Sequence, residues 1–563
     1  MTLAIGSTGI LQTFGEAGVL DIADAHVAKR ICELGEERDE RVALAVALAV
    51  RALRGGSVCV DLSSIATAIG GDELPWPEPA DWLSTVRGSA LLGEPPVLHL
   101  YDDRLLYLDR YWREEKQVCD DLLGLLSAQP TNKFPDLARL FPSGFEEQRE
   151  AAEIALSQSV TVLTGGPGTG KTTTVARLLA LLAEQAGPAR PRVALTAPTG
   201  KAAARLQEAV AIEVEKLDAV DRSRLGGLQA VTLHRLLGSK LKTSSRFRHN
   251  RGNRLPHDVI VVDETSMVSL TMMARLLEAV RPDARLIFVG DADQLASVEA
   301  GAVLADLVDG LSARADARVA ALRTSHRFGQ SIGSLADAIR LGDTDRVLEL
   351  LRSGDEHIEF INETDRLRSI LVPQVVRLHE AAVLGAVDVA LAILDEHRLL
   401  CAHREGPFGV RQWNRQIEKW LSEETGLPPW SEWYAGRPLL VTANDYGLRV
   451  YNGDTGVVVA GPDGLRAVIS GATGPLDFSI SRLSDVDTMH AMTIHKSQGS
   501  QADEVTVLMP SEDSRLLTRE LFYTAVTRAK RKVRVVGSEA SVRAAIERRV
   551  ARASGLAKRL QAV

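Results

Sequence analysis

SVTVLTGGPGTGKTTTVARLLALLAE, residues 159–184, is the stretch on which the reading of this 563-residue chain turns. A short apolar strand runs into a loop of the form G-x-x-x-x-G-K-T, Gly165 to Thr172, and the loop opens a helix. Gly165, Gly168 and Gly170 let the backbone curl until its N–H groups face one point, and the helix start adds a field that favours an anion there. Such a loop cradles the phosphates of ATP. Lys171 is suited to reach the β- and γ-phosphates, and Thr172 to offer a hydroxyl to Mg²⁺. Gly166, Pro167, Thr169 and Thr173 complete the candidate nucleotide contacts in the loop.

Working outward, RVALTAPT (192–199), DVIVVDE (258–264) and ARLIFVGD (284–291) are further short apolar runs separated by helical stretches. Strands apolar on both faces belong in a parallel sheet covered by helices, and ligands bind beyond the carboxyl ends of such strands. The polar residues that follow each run are therefore the first candidates. Asp263 is suited to position Mg²⁺ together with Thr172, and Glu264 to polarise an attacking water, although the pair could instead only cap the next segment. In GDADQLASV, Gln294 has neutral groups able to contact a γ-phosphate or that water, whereas Asp291 or Asp293 could simply stabilise the turn. Arg327 in ALRTSHRFGQ and Arg528 in LFYTAVTRAKRKVRVVG each bring a guanidinium fork that could neutralise charge on a transferred phosphoryl group.

With 45% hydrophobic and 25% charged residues, the composition is that of a globular protein, and the length exceeds what one core usually supports. The start lacks a basic patch followed by an apolar run, and no stretch approaches eighteen uninterrupted apolar residues, so a cytoplasmic chain with no membrane partner is expected. Cys32, Cys59, Cys119 and Cys401 are too scattered for a metal site and read as buried thiols. A net charge of −8 does not exclude nucleic acid, because phosphate binding responds to local charge. Between Val231 and Pro256 there are seven Lys or Arg residues and no Asp or Glu, and the tail after Arg528 is basic. Helical patterning from Ile22 to Leu53 and a strand, Asp-Asp turn, strand and helix start over 97–115 predict an N-terminal domain, residues 1–125. A linker is expected over 126–144, a first α/β domain over 145–330 and a second over 331–563. Asn-Asp and Asn-Gly turns in GRPLLVTANDYGLRVYNGDTGVVVA predict a β-rich insertion in the second domain over approximately 437–485.

In order along the chain stand FEEQRE, GGPGTGKTTT, TAPTGKAAARL, TLHRLLG, VVDETSMV, GDADQLASV, SHRF, NGDTG, TIHKSQGSQADEV and LFYTAVTRAK. This series resembles the motif set of superfamily 1B DNA helicases, and more closely that of the RecD family, the alpha subunits of bacterial exodeoxyribonuclease V. The resemblance covers essentially the whole chain, and the order is more specific than any one member. It implies two RecA-like P-loop motor domains, a mainly helical partner-docking N-terminal domain and an SH3-like character for the insertion. It implies that Gln148 reads adenine, that ATP lies between the motor domains, with Lys171 and Glu264 on one side and Arg528 on the other, and that Arg327 is the second phosphate-facing arginine. DNA contacts are implied for Thr196, Pro198, Thr199, Lys201, Thr232 and His234 in the first domain, and for Thr493, His495, Lys496, Ser497 and Gln498 in the second. The activity so implied is ATP- and Mg²⁺-dependent 5′-to-3′ unwinding in double-strand-break repair and homologous recombination. The implied partners are single-stranded and duplex-end DNA and RecB-like beta and RecC-like gamma subunits, with nuclease activity only in that complex. A stand-alone RecD-like helicase and a nucleotide-binding structural or regulatory subunit with weak motor activity are the alternatives.

Overall fold

Strands apolar on both faces need a helical layer on each side, and two sheets of this kind organise the chain. The computed structural model describes residues 9–70, 73–128, 135–188, 190–240, 243–324, 330–426, 432–445, 447–471, 474–550 and 552–562. The first sheet has six parallel strands, in the order Val319–Leu322, Val160–Gly165, Arg285–Gly290, Val259–Val262, Val193–Ala197 and Ala230–Thr232. Successive side chains alternate faces, so the sheet feeds two cores. Val162, Ile260, Val262 and Phe288 pack with Met273 and Leu277, while Leu163, Val261, Ile287 and Val289 pack with Val175, Leu178 and Leu182 of the helix Lys171–Ala186.

The second sheet has five parallel strands, in the order Ile358–Ile361, Ala529–Val536, Ala502–Leu508, His397–Cys401 and Ala491–Thr493. The expected insertion is a five-stranded antiparallel sheet ordered Gly474–Ser479, Gly464–Gly471, Thr455–Gly461, Pro438–Val441 and Val486–Thr488. Among the described residues no pairing joins its two edge strands, so the sheet is open and antiparallel.

Near the N-terminus, Leu98–Tyr101 and Leu105–Leu108 form the expected hairpin. Its Asp102 and Asp103 adopt φ of 51° and 53°, left-handed values that aspartate tolerates in such turns. The helix Asp109–Leu126 then lays Val118, Cys119, Leu122 and Leu125 into the core of the first sheet. The end of the chain does the same. The helix Leu556–Gln561 inserts Leu556 and Leu560 into that core instead of remaining with the second sheet, and Gly310 admits Leu560 where a Cβ would approach it to 2.9 Å. All four cysteines are buried and unpaired. Among the described residues no helix is long and apolar enough to cross a membrane.

Candidate nucleotide site and strand-facing motifs

The carboxyl edge of the first sheet carries the site. Gly168 and Gly170 take φ of 83° and 86°, which the tight loop requires, and a Cβ on Gly165 would meet the Leu322 carbonyl oxygen at 2.5 Å. Lys171 folds over the loop, its Nζ donating to the carbonyl oxygens of Gly165 at 2.6 Å and Gly166 at 2.8 Å. Thr169 is buried and donates to the Gly166 carbonyl.

Two strands further across, the N–H of Asp263 donates to the Thr196 carbonyl at 2.8 Å, fixing the carboxylate at the strand end. Glu264 follows with φ 48° and ψ 42°, a left-handed conformation that costs a residue with a side chain on the order of 1 kcal/mol or more and is met chiefly at functional positions. Burial, and then the adjacent charge of Glu264, push the Asp263 carboxyl above the ordinary range, while Lys171 and Arg205 pull it back. Asp291 is buried and accepts from Gln294 Nε2 at 2.9 Å and from the Tyr523 hydroxyl at 3.1 Å. That leaves Gln294 Oε1 buried without a hydrogen-bond partner among the described residues, an acceptor suited to a water's proton.

The second lobe completes the wall. Arg528, at 4% exposure, is braced by the Thr524 carbonyl at 3.0 Å and the Ser500 carbonyl at 3.3 Å. Burial lowers its pKa, with Glu264 and Asp291 opposing the shift, and a guanidinium stays charged under such conditions. Lys171, Thr172, Thr173, Asp263, Glu264, Gln294 and Arg528 all line one cavity of about 830 Å³. Phe145, Gln148, Arg177 and Ile212 line the same cavity. Gln148 is buried and donates to the Thr169 carbonyl at 3.2 Å, and the Arg177 guanidinium lies 4.3 Å from the Phe145 ring centroid. Arg327 lies outside the described residues.

Sequence reasoning missed Phe145, Arg177, Arg205 and Tyr523 as site residues. Phe145 stands in the quoted FEEQRE motif, so a signal existed. Arg205 in TAPTGKAAARL and Tyr523 in LFYTAVTRAK carried the same signal, whereas Arg177 lies in the helix after the phosphate loop with nothing to separate it from a surface arginine.

The strand-facing candidates are less uniform. His234 is exposed, and Pro198, Thr199, Lys201, Thr232, Thr493, His495 and Lys496 are partly so. Thr199 and Thr232 cap their helices, accepting from the Ala202 and Arg235 N–H groups at 3.2 Å each. Lys201 is pushed down to about 8 by burial and by Arg398. Three candidates do not reach a surface. Thr196 is wholly buried within its strand beneath Asp263, and Ser497 is buried with its hydroxyl on the Ile494 carbonyl. Gln498 is buried between the lobes, donating to the Leu295 carbonyl at 2.9 Å. Ser497 and Gln498 spend their polar groups on internal hydrogen bonds, whereas the Thr196 hydroxyl is buried without a hydrogen-bond partner among the described residues.

Residues 16–105 match the family described as the RecBCD enzyme subunit RecD, N-terminal domain. Residues 148–300 match an AAA domain, and 488–536 a UvrD-like helicase C-terminal domain. Over 564 aligned residues the chain is 75% identical to the RecBCD enzyme subunit RecD of Mycobacterium tuberculosis strain H37Rv, covering 99% of this chain and 98% of that one. The chain belongs to the RecD family. It is also 32% identical to the RecBCD enzyme subunit RecD of Haemophilus influenzae, covering 85% of this chain and 84% of that one. To the ATP-dependent RecD2 DNA helicase of Deinococcus radiodurans it is 31% identical, covering 81% of this chain and 59% of that one. Within this RecD-family chain, the N-terminal match spans the helices from Ile22 to Arg54 and runs to the hairpin's first strand and turn, and the other two fall on opposite walls of the nucleotide cavity.

Proposed function

We propose that this RecD-family chain is an ATP-driven DNA helicase and translocase that works as the alpha subunit of a RecBCD complex, moving 5′ to 3′ in double-strand-break repair and homologous recombination. One observation carries the reading: groups from two separately built sheets, Lys171 and Glu264 from one and Arg528 from the other, line a single cavity. A nucleotide there touches both lobes, so its cleavage changes the free energy of their closure, which a motor requires.

The chemistry follows from the residues. The glycine loop and Lys171 hold the β- and γ-phosphates, exchanging the lysine's present carbonyl partners for phosphate oxygens. Gln148, Phe145 and Arg177 form the base end. Thr172 and Asp263 line the cavity with hard oxygen donors, which fits Mg²⁺, an ion that takes few protein ligands and leaves the remainder to phosphate and water. Bound there, it would neutralise phosphate charge. Glu264 accepts a proton as water attacks the γ-phosphorus and the bond to the β-phosphate oxygen breaks. Gln294 orients that water, and Arg528 balances the charge gathering on the transferred group. Pro198, Thr199, Lys201, Thr232, His234, Thr493, His495 and Lys496 form the DNA track. The N-terminal region is the docking unit for the beta and gamma partners, and its helix Ile22–Leu34 leaves Ile22, Val27 and Leu34 exposed.

Strand separation on duplexes with opposite overhangs tests the proposal. Lys171→Gln should lower unwinding and the associated ATP turnover by roughly 10²–10³-fold, the scale of losing a positioned charge at a transition state. Full activity in that variant would end the motor assignment, and preference for a 3′ overhang would end the polarity.

A further inference from the structure

Arg205 belongs to none of the groups assigned above, yet it stands where they meet. It lies on the first-lobe helix Gly200–Glu215 and lines the nucleotide cavity beside Glu264 and Arg528. Its guanidinium nevertheless points across the cleft, with Nη1 donating to the Gly499 carbonyl and Nη2 reaching Gln501 Oε1 at 3.5 Å. Gly499 takes φ of 71°, and the position of its missing Cβ lies 3.7 Å from Ala202, one turn before Arg205 on the same helix. The loop therefore rests on the helix face formed by Ala202 and Arg205.

The next carbonyl along the loop is the informative one. Ser500 offers its oxygen to Arg528 Nη1 at 3.3 Å, and the Ala502 N–H donates back to the Arg528 carbonyl at 3.1 Å. Adjacent carbonyls of one second-lobe loop are thus gripped by two arginines, Gly499 by Arg205 from the first lobe and Ser500 by Arg528 from the second. The same loop leads back without interruption into Thr493–Gln498, the segment that carries second-lobe strand candidates. A loop held at both carbonyls can shift only if Arg528 shifts or the grip of Arg205 is released.

We propose that Arg205 is a positioning residue that latches the 499–501 loop across the cleft, so that closure on nucleotide sets Arg528 and the strand-facing residues Thr493, His495 and Lys496 together. The inference rests on the ATPase reading above. A guanidinium suits the task because its planar fork meets a carbonyl and an amide oxygen at once, which an ammonium cannot do with the same geometry. A latch acts on the closed state, where chemistry occurs, more than on nucleotide capture, so its loss falls on kcat rather than KM.

The test uses the full chain, alone and assembled with its partner subunits, and counts as its own turnover only the ATP hydrolysis that Lys171→Gln removes. In Arg205→Ala, DNA-stimulated kcat should fall about tenfold with the KM for ATP held within threefold, and Arg205→Lys should recover part of the loss. Gln501→Ala should reproduce part of the defect, and the double variant should be no worse than Arg205→Ala, because both cut one link. If Arg205→Ala fails to fold, Gln501→Ala carries the test alone by the same split of kcat from KM. Unchanged stimulation, a rise in KM with kcat intact, or additive losses in the double variant would each overturn the latch while leaving the ATPase standing. Absence of any Lys171-dependent turnover in the wild-type complex would take down both readings.

Discussion

The second lobe is joined to the rest of the molecule in two contrasting ways. Across the nucleotide cleft the contacts are the Arg205 grip on the 499–501 loop, the Leu295 side chain seated in the second lobe's core, and a few separate hydrogen bonds. The Leu295 N–H meets Thr524 Oγ1 at 2.9 Å, the Leu295 carbonyl meets Gln498, and Tyr523 meets Asp291. Each neutral bond contributes only about 0.5–1.5 kcal/mol net and each one to a charged group about 1.5–3 kcal/mol, so the seam is held by a few separable links. After the second lobe's helix Glu539–Glu547, the chain returns to the first lobe and is welded there. Arg552 Nη1 donates to the carbonyls of Ser297 at 2.5 Å and Gly301 at 3.1 Å, and Val58 and Ala553 pair through the backbone at 3.0 Å. Arg559 lies 3.9 Å from the Trp112 ring centroid and 4.1 Å from that of Tyr101, while its Nε meets the fully buried Glu115 at 2.8 Å. One junction is built to cycle and the other to hold, which makes the second lobe a body that pivots between fixed attachments.

The largest effect that sharpens this contrast is expected at the cleft. Arg528→Ala should lower kcat for ATP on the order of 10³-fold, the scale of an arginine that balances transferred-phosphoryl charge, with the melting temperature barely moved. Phosphate release and a thermal melt on the same preparation check both halves. A collapse in stability equal to the loss in turnover would mean that the cleft is welded too.

At the strap the order reverses. Glu115 accepts from Tyr107, Ser554, the Gly555 N–H and Arg559, so Glu115→Ala strands a buried guanidinium and several donors at once. Stability should fall by roughly 3–5 kcal/mol, measured by denaturant unfolding, while the protein that remains folded keeps its ATP turnover per active site. Lost turnover at full stability would show that the strap takes part in the cycle.

These two junctions also differ in how far the sequence revealed them. The parallel strands were legible because burial on both faces leaves uninterrupted apolar runs, and the carboxyl-edge rule then pointed to Asp263, Glu264 and Gln294. The grouping of these residues with Lys171 and Arg528 in one cavity follows from those strands lying in adjoining sheets. The strap was not legible, because Glu115 and Arg559 are 444 positions apart and nothing in RRVARASGLAKR distinguishes a docking helix from a basic tail. Hydroxyl-rich motifs are hard to read for a third reason. Thr196, Ser497 and Gln498 look like strand contacts, but a small polar side chain serves equally well inside a strand, in a turn or across a seam, and only burial separates these uses.

Lys496 tests the strand-facing side of the pivot with a smaller effect. Its Nζ now meets Asn452 Oδ1 at 2.6 Å, a neutral partner that a phosphate can replace. Lys496→Ala should weaken single-strand binding uniformly across sequences and reduce the slope of log K against log salt by about 0.7, the counterion release of one phosphate contact. An unchanged slope in a fluorescence titration would remove Lys496 from the track and leave its bond to Asn452 as a brace.

The smallest expected effect lies beside the strap and concerns pH. Burial, helped by the charges of Glu115 and Asp309 and opposed by a hydrogen bond from Ser554, pushes the Asp306 carboxyl up to about 7. An acid whose folded pKa exceeds its unfolded value binds more protons when folded. Its contribution is therefore fully present below the unfolded pKa of about 3.8 and is lost as pH rises through about 7. The weld should accordingly loosen between about pH 4 and pH 7, and Asp306→Asn, which keeps the shape without the charge, should flatten that decline. Melting curves across the range decide it. A decline that persists undiminished in Asp306→Asn would assign the pH dependence to other groups and leave the strap's hold indifferent to this carboxyl.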